Sequence, residues 1–458
     1  MPAKSHDHIS RSCGGAALAD QTVKAPVPEL GLWMCTALVV GNMIGSGVFL
    51  LPASLAPYGA LSIFGWLFST TGAVLLALVF ARLSRLVPQA GGPYAYTRAG
   101  FGDFAGFLVG WGYWISIWCG NAAIAVAFIS YLGVFLPALT ANGMLAAAAA
   151  IATVWLLTLV NGLGVRTAGI VQLATTILKV VPLAFVGVFG LFYMNGENFK
   201  LAQTGGEPLF GGITSAAALA LWAFLGLESA TVPADNVIRP EKTIPRATIL
   251  GTLAAAAVYI LGSVAVMGVI PAAALKTSTA PFADAAKAIW GEWAGYAVAA
   301  GAAISCFGAL NGWILLQGQL PRAAAIDGLF PALFKRLSTR GTPVAGLAVS
   351  SVLITVLVVT NYTRGLVGMF TFIILLATLT TLFPYVFSTM SLLLIYIRDR
   401  QRGRREPILA SSVLAILAFA YSLWAIVGAG KETVFWGFLL LMGSLPVYVW
   451  IKHSQQKT

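Results

Sequence analysis

The sequence predicts an all-α membrane protein of twelve transmembrane helices, and three observations carry that expectation. Of 458 residues, 59% are hydrophobic and only 9% are charged, whereas soluble domains draw about a quarter of their residues from Asp, Glu, Lys and Arg. The apolar residues fall into runs of roughly 20, the length that crosses a hydrocarbon layer about 30 Å thick. The charges collect in the gaps between those runs, with 27 Lys and Arg against 15 Asp and Glu, a net charge of +12. In a soluble chain this excess would point to nucleic acid. In short loops between apolar runs it is what the positive-inside rule predicts, so the expected partner is the lipid bilayer and not nucleic acid.

Cutting the chain at its polar or Pro/Gly gaps places the spans at about 31–56, 61–86, 104–136, 144–163, 169–194, 211–233, 247–270, 285–320, 343–361, 365–396, 407–428 and 432–452. An even number of spans puts both termini on one side. The tails and even-numbered loops hold 21 of the 27 basic residues, so both termini are expected in the cytoplasm. Residues 1–30 are polar and Pro-interrupted, without the apolar stretch of a signal peptide. They read as a disordered cytoplasmic tail, and 453–458 as a second one.

Cys13, Cys35, Cys119 and Cys306 are too dispersed for a disulfide framework or a zinc site and read as apolar packing residues. His6, His8 and His453 all lie in the tails, which removes a His-based triad, metal site or proton relay from the membrane. No Walker loop is present, which argues against an ATP-driven pump. Neither an enzyme nor a metal or cofactor is therefore expected.

Two spans depart from continuous apolar helix. The first carries Gly41-Asn42-Met43-Ile44-Gly45-Ser46-Gly47 followed by Pro52, and the sixth carries Gly226-Leu227-Glu228-Ser229 followed by Pro233. Unpaired backbone is costly in lipid, so irregular segments survive at mid-depth only where they line a cavity or a site. Close packing of glycine-rich helices is the alternative for the first break alone. The two breaks lie five spans apart, the offset of a five-plus-five inverted repeat whose discontinuous helices meet at the membrane midplane.

Two ionisable residues lie inside spans. Of the fifteen acidic residues only Glu228 sits mid-helix, and of the basic ones only Lys179 does. Such groups are expensive in the membrane and mark function by default. Glu228 reads as a carboxyl that exchanges a proton for substrate charge, against the alternative of a protonated structural group. Lys179 reads as a buried tether, against the alternative of a side chain that snorkels to the interface. Tyr113, Trp114, Trp118, Trp222, Trp313 and Tyr385 are mid-span aromatics beside small or polar residues. Aromatic faces hold cations at roughly 0.5–2 kcal/mol each, so a small organic cation is the implied ligand.

These residues resemble the amino acid–polyamine–organocation superfamily and, within it, the basic amino acid/polyamine antiporter family, most closely its arginine/agmatine exchangers. The resemblance covers about residues 31–452. It rests on Gly41-Asn42 with Gly45-Ser46-Gly47-Val48-Phe49-Leu50-Leu51-Pro52-Ala53, Trp118 with Gly120-Asn121, Gly226 with Glu228-Ser229-Ala230, Gly312-Trp313, Asp327-Gly328-Leu329-Phe330-Pro331, and Gly341 through Leu347. It implies a LeuT-like fold with helices 1 and 6 discontinuous. Repeat one spans about 31–194, repeat two about 211–396, and two additional helices lie in 397–452. In such relatives the substrate carboxylate meets backbone amides at the positions of Ser46 and Gly47, and the α-amine meets carbonyls at Met43, Trp222 and Leu225. The substrate side chain lies near Asn121 and Trp313, with Trp222 as a proximal gate and Tyr113, Glu228 and Tyr385 as a distal one. Ser116, Ile117 and Ala377 stand around the guanidinium end, where they differ from the arginine/agmatine pattern. Lys179 is similar to a fifth-span lysine that occupies a sodium position in other members of the superfamily.

The function implied is exchange of a cationic amino acid for its decarboxylated amine across the bacterial inner membrane. Arginine/agmatine is favoured, with ornithine/putrescine and lysine/cadaverine as further pairs. The resemblance also implies a homodimer and functional coupling to a cytoplasmic amino acid decarboxylase. A proton-coupled or facilitated amino acid permease that uses Lys179 is the alternative, and a sensor on the same scaffold is a third reading.

Overall fold

The computed structural model describes residues 28–199, 209–276, 278, 280–361, 366–401, 408–428 and 431–455. Residues 1–27, most of the expected N-terminal tail, lie outside them. Glu29 and Leu30, placed in that tail by the sequence, are docked: both backbone amides donate to the Asn236 carbonyl at 2.9 Å, and Leu30 is 2% exposed.

The described chain is helical almost throughout, apart from a lone bridge between Leu30 and Val237. In order the helices are α1 (Leu32–Met43), α2 (Ser46–Leu55), α3 (Leu61–Leu86), α4 (Pro93–Phe101), α5 (Asp103–Leu132), α6 (Ala138–Ala141), α7 (Gly143–Gly162), α8 (Val165–Phe189) and α9 (Leu209–Leu221). There follow α10 (Pro240–Val269), α11 (Ala272–Leu275), α12 (Pro281–Trp290), α13 (Glu292–Ile326), α14 (Val344–Asn361), α15 (Leu366–Gln401), α16 (Ile408–Gly428), α17 (Lys431–Met442) and α18 (Leu445–Gln455). Among the described residues ten helical segments are long and apolar enough to cross a membrane, and Leu32–Met43 and Val344–Thr360 are shorter apolar helices. Outward-facing Leu159 (67% exposed), Phe192 (80%) and Leu409 (79%) show a surface that water would not tolerate and lipid would.

Both expected breaks exist. α1 stops at Met43, and α2 restarts at Ser46 after two non-helical residues, Ile44 and Gly45. α9 stops at Leu221 and gives way to three short 3-10 turns, Trp222–Phe224, Ser229–Thr231 and Ala234–Asn236. Between the first two turns Gly226 takes φ 104°, where a Cβ would come within 3.0 Å of the Trp313 ring and 3.3 Å of Asn42 backbone. A side chain is excluded there both by conformation and by space.

Several boundaries differ from expectation: the seventh span, expected from 247, starts at Pro240, and α13 and α15 run on to Ile326 and Gln401. The eighth span, expected over 285–320, begins at Glu292, because Gly291 at φ 89° ends the separate helix α12 and starts α13. The twelfth is α17 and α18 in succession, interrupted at Gly443–Ser444. The long α5 packs against α13 and α15, and α1 packs against α8, α10 and α13, so the first break lies inside the bundle.

Candidate functional site

The two breaks face a cavity of about 480 Å³, its mouth included. Asn42, Met43, Gly45 and Gly47 line it from the first break, and Trp222, Ala223 and Leu225 from the second. α5 contributes Ser116, Gly120 and Ile124, α13 contributes Trp313, and α15 contributes Ala377 and Thr381. Of the residues expected to touch substrate, Met43, Gly47, Ser116, Trp222, Leu225, Trp313 and Ala377 are thus brought together. The Ser46 backbone opens α2, while its side chain lies outside the described residues. Ile117 and Asn121 are fully buried and do not line the open cavity, and Asn121 turns its amide toward α13 instead.

The tryptophans are held in place. Trp313 Nε1 donates to the Asn42 carbonyl at 3.1 Å. The half-buried Trp222 ring stands over Gly47, where a Cβ would lie 2.4 Å from its Nε1. Asn42 in turn donates through Nδ2 to Ser229 Oγ at 2.9 Å, and Ser229 donates to the Gly226 carbonyl at 2.5 Å. The two breaks are therefore cross-linked through side chains of their own. No acidic or basic side chain is among the lining residues, so a cation in the cavity would be held by aromatic faces and carbonyls rather than by a counter-charge.

The charged groups stand behind the breaks. Lys179, with no exposed surface, donates from Nζ to the carbonyls of Gly41 at 2.6 Å and Ile44 at 2.7 Å, and Ser305 Oγ donates to the same Ile44 carbonyl at 3.2 Å. Interrupting α1 leaves carbonyls without helical partners at its negative dipole end, and an ammonium satisfies both needs. Glu228 is equally buried, with one carboxylate oxygen accepting from the Tyr113 hydroxyl and the other from the Tyr385 hydroxyl. α5, the second break and α15 meet at that carboxylate.

Sequence reasoning left other lining and supporting residues out of the site. Thr381 lies midway in the Ala377–Thr381–Tyr385 stripe of α15, a four-residue spacing that marks one helix face. Gln317 accepts from Asn121 Nδ2 at 2.7 Å and lies four residues beyond Trp313 on α13. Trp114 was expected beside the breaks, but its Nε1 donates to Ser350 Oγ and its ring packs on Trp111, Phe330 and Phe334. Cys35, Cys119 and Cys306 are buried and unbridged. Among the described residues no cluster of three metal-ligating His, Cys, Asp or Glu side chains occurs.

Comparison with known proteins agrees with this architecture. The amino acid permease family profile matches residues 30–446. The chain is 34% identical over 434 residues to the cadaverine/lysine antiporter of Escherichia coli strain K12, covering 93% of this chain and 96% of that protein. A Bacillus subtilis protein provisionally named an arginine/ornithine antiporter is 36% identical over 470 residues, at 93% and 98% coverage. A putrescine transporter of Haemophilus influenzae is 30% identical over 427 residues, again at 93% and 98%. A match over nearly its whole length, with a multi-pass helical fold, makes this chain a member of the amino acid permease family within the amino acid–polyamine–organocation superfamily.

Proposed function

We propose that the chain is a twelve-span secondary transporter of the bacterial inner membrane that exchanges a cationic amino acid for its decarboxylated amine by alternating access. One observation carries the reading: two interrupted helices meet across a cavity whose walls are the indoles of Trp222 and Trp313 and whose lining holds no fixed charge. Amides at the start of α2 offer partial positive charge to a carboxylate, and the indole faces offer a cation a weak, releasable seat. An amine lacking the carboxylate forgoes only the first of these, which suits a site that carries both members of the pair.

The breaks are five spans apart when α1 with α2 is counted as one span, and counting Val344–Thr360 as another brings the total to twelve. That spacing supports a LeuT-like inverted repeat, with both termini in the cytoplasm by the Lys/Arg census. Cadaverine/lysine, arginine/ornithine and putrescine, the compounds in the relatives' names, all carry an ammonium or guanidinium at the end of an alkyl chain. Lysine/cadaverine is the first pair to test here, with arginine/agmatine beside it. Exchange of this type draws its amine from a cytoplasmic amino acid decarboxylase, and a homodimer is the expected assembly.

The test is counterflow in proteoliposomes loaded with labelled lysine. Exchange predicts efflux only when lysine or cadaverine is supplied outside. Efflux that proceeds without external substrate, or that follows an imposed proton gradient, would favour the second reading, a proton-coupled permease. The bonds from Lys179 to the broken first helix are the observation behind that second reading.

A further inference from the structure

The amide of Asn121 has a fixed orientation, and the orientation is set from outside the cavity. On α14 the Leu347 carbonyl can only accept, and Gln317 Nε2 lies 3.2 Å from it and 2.9 Å from Ser351 Oγ. The Ser351 hydroxyl is in turn 2.7 Å from Thr158 Oγ1, which donates to the Val154 carbonyl on α7. The relay therefore runs in one direction and ends on main-chain carbonyls, so the nitrogen of Gln317 is committed to α14 and its oxygen to Asn121. Asn121 must then donate its nitrogen to that oxygen at 2.7 Å, which leaves Asn121 Oδ1 as a buried acceptor without a donor among the described residues. Asn121 adjoins the lining residue Gly120 and Gln317 stands one turn beyond the lining residue Trp313, so the pair sits behind the cavity wall rather than in it. A desolvated acceptor without a donor is costly, and a ligand N–H relieves it.

We infer that Gln317 is a positioning residue for specificity: it locks Asn121 with its oxygen toward the substrate's side-chain end, so that the site selects ligands with N–H donors there over isosteres that lack them. This rests on the exchanger reading and names the chemistry that the cavity's distal end requires, an ammonium or guanidinium. Nothing on α5 alone would fix the amide, because rotating it by half a turn would present a donor of the same shape.

The experiment measures binding of lysine and of norleucine, which has the same carbon chain but lacks the terminal ammonium, to purified protein by calorimetry. Wild type should prefer lysine. Gln317→Leu should weaken lysine about tenfold while norleucine stays within about twofold, the size expected for one hydrogen bond to a charged group. Gln317→Glu keeps an oxygen for Asn121 Nδ2 and should keep the preference, even if the leucine variant fails to insert. Equal weakening of both ligands in Gln317→Leu, or loss of the preference in Gln317→Glu, overturns the inference and leaves the exchanger reading standing. A wild type that does not distinguish lysine from norleucine overturns the cationic-substrate reading and this inference with it.

Discussion

The two helix breaks solve the same problem in opposite ways. At the first, the carbonyls exposed by stopping α1 at Met43 are bound by a buried ammonium, Lys179, that reaches across from α8. At the second, a carboxylate borne by the break itself, Glu228, is bound by hydroxyls from α5 and α15. The first arrangement joins charge to main chain. Main-chain carbonyls do not titrate, and the ammonium has no competing partner among them. The second joins three side chains on three elements, and one proton on the carboxylate removes half of its accepting capacity. In the proposed exchanger the first joint would act as a fixed bolt and the second as a releasable clasp, on the two sides of one cavity.

Changes at the bolt should have the largest effects. Gly47→Leu should abolish measurable substrate binding while leaving membrane insertion intact, because even a Cβ there would run into the Trp222 ring 2.4 Å away. Wild-type affinity in calorimetry on this variant would place the site elsewhere. Lys179→Met should cost about 3 kcal/mol of stability, since two charge-assisted hydrogen bonds to buried carbonyls are lost with nothing to replace them. Thermal unfolding in detergent checks the stability. Exchange should slow by about 100-fold as the first break loses its anchor, following the same free-energy scale. A variant as stable as wild type would show that the carbonyls find other donors and that the bolt is not one.

How much of this was legible in the sequence follows from how membranes tax different groups. Span lengths and breaks were readable because hydrocarbon fixes the first and punishes the second, as at Gly45-Ser46-Gly47 and Gly226. Lys179 and Glu228 were readable because a full charge stands out in an apolar run. Asn121 with Gln317, or Asn161 with Asn311, stood in plain view and could not be joined, since neutral amides are cheaper to bury and each pair is separated by 150 residues or more. Trp114 shows the reverse error: a mid-span aromatic beside Ser116 resembles a site residue until its partners Ser350 and Phe334 are known. The start of α13 was hidden because a positive φ at Gly291 leaves no mark on hydropathy.

The wall between bolt and clasp gives a smaller expected effect. Trp313→Ala should weaken binding of lysine by about 1–3 kcal/mol, through lost apolar contact and lost attraction between the cation and the indole face. Part of that loss would come from the Asn42 carbonyl, which loses its donor at 3.1 Å. Trp313→Phe helps to separate the two contributions, because it keeps a smaller aromatic face and removes the N–H. Calorimetry should place it between wild type and the alanine variant. Affinity equal to that of the alanine variant would assign the whole effect to the hydrogen bond and none to the ring.

The clasp should show the smallest change in affinity and the clearest change in pH response. Glu228 faces two titratable neighbours, Tyr113 and Tyr385, both of which donate to it. When the carboxyl is protonated it becomes a donor on one oxygen, so one tyrosine loses its acceptor and the joint between α5, the second break and α15 loosens. Exchange should therefore rise as pH falls in the wild type. Glu228→Gln has the same shape with one acceptor and one donor, and stands in for the protonated acid at every pH. Its exchange rate at pH 7.5 should approach the wild-type rate under acid conditions, its pH profile should be flat, and its affinity for lysine should stay within about threefold because the residue lies outside the lining. Flux measured across a pH series in proteoliposomes decides the matter. A glutamine variant that keeps the wild-type slope, with the slope lost instead in Lys179→Met, would exchange the roles of the two breaks and make the proton-coupled permease the better reading.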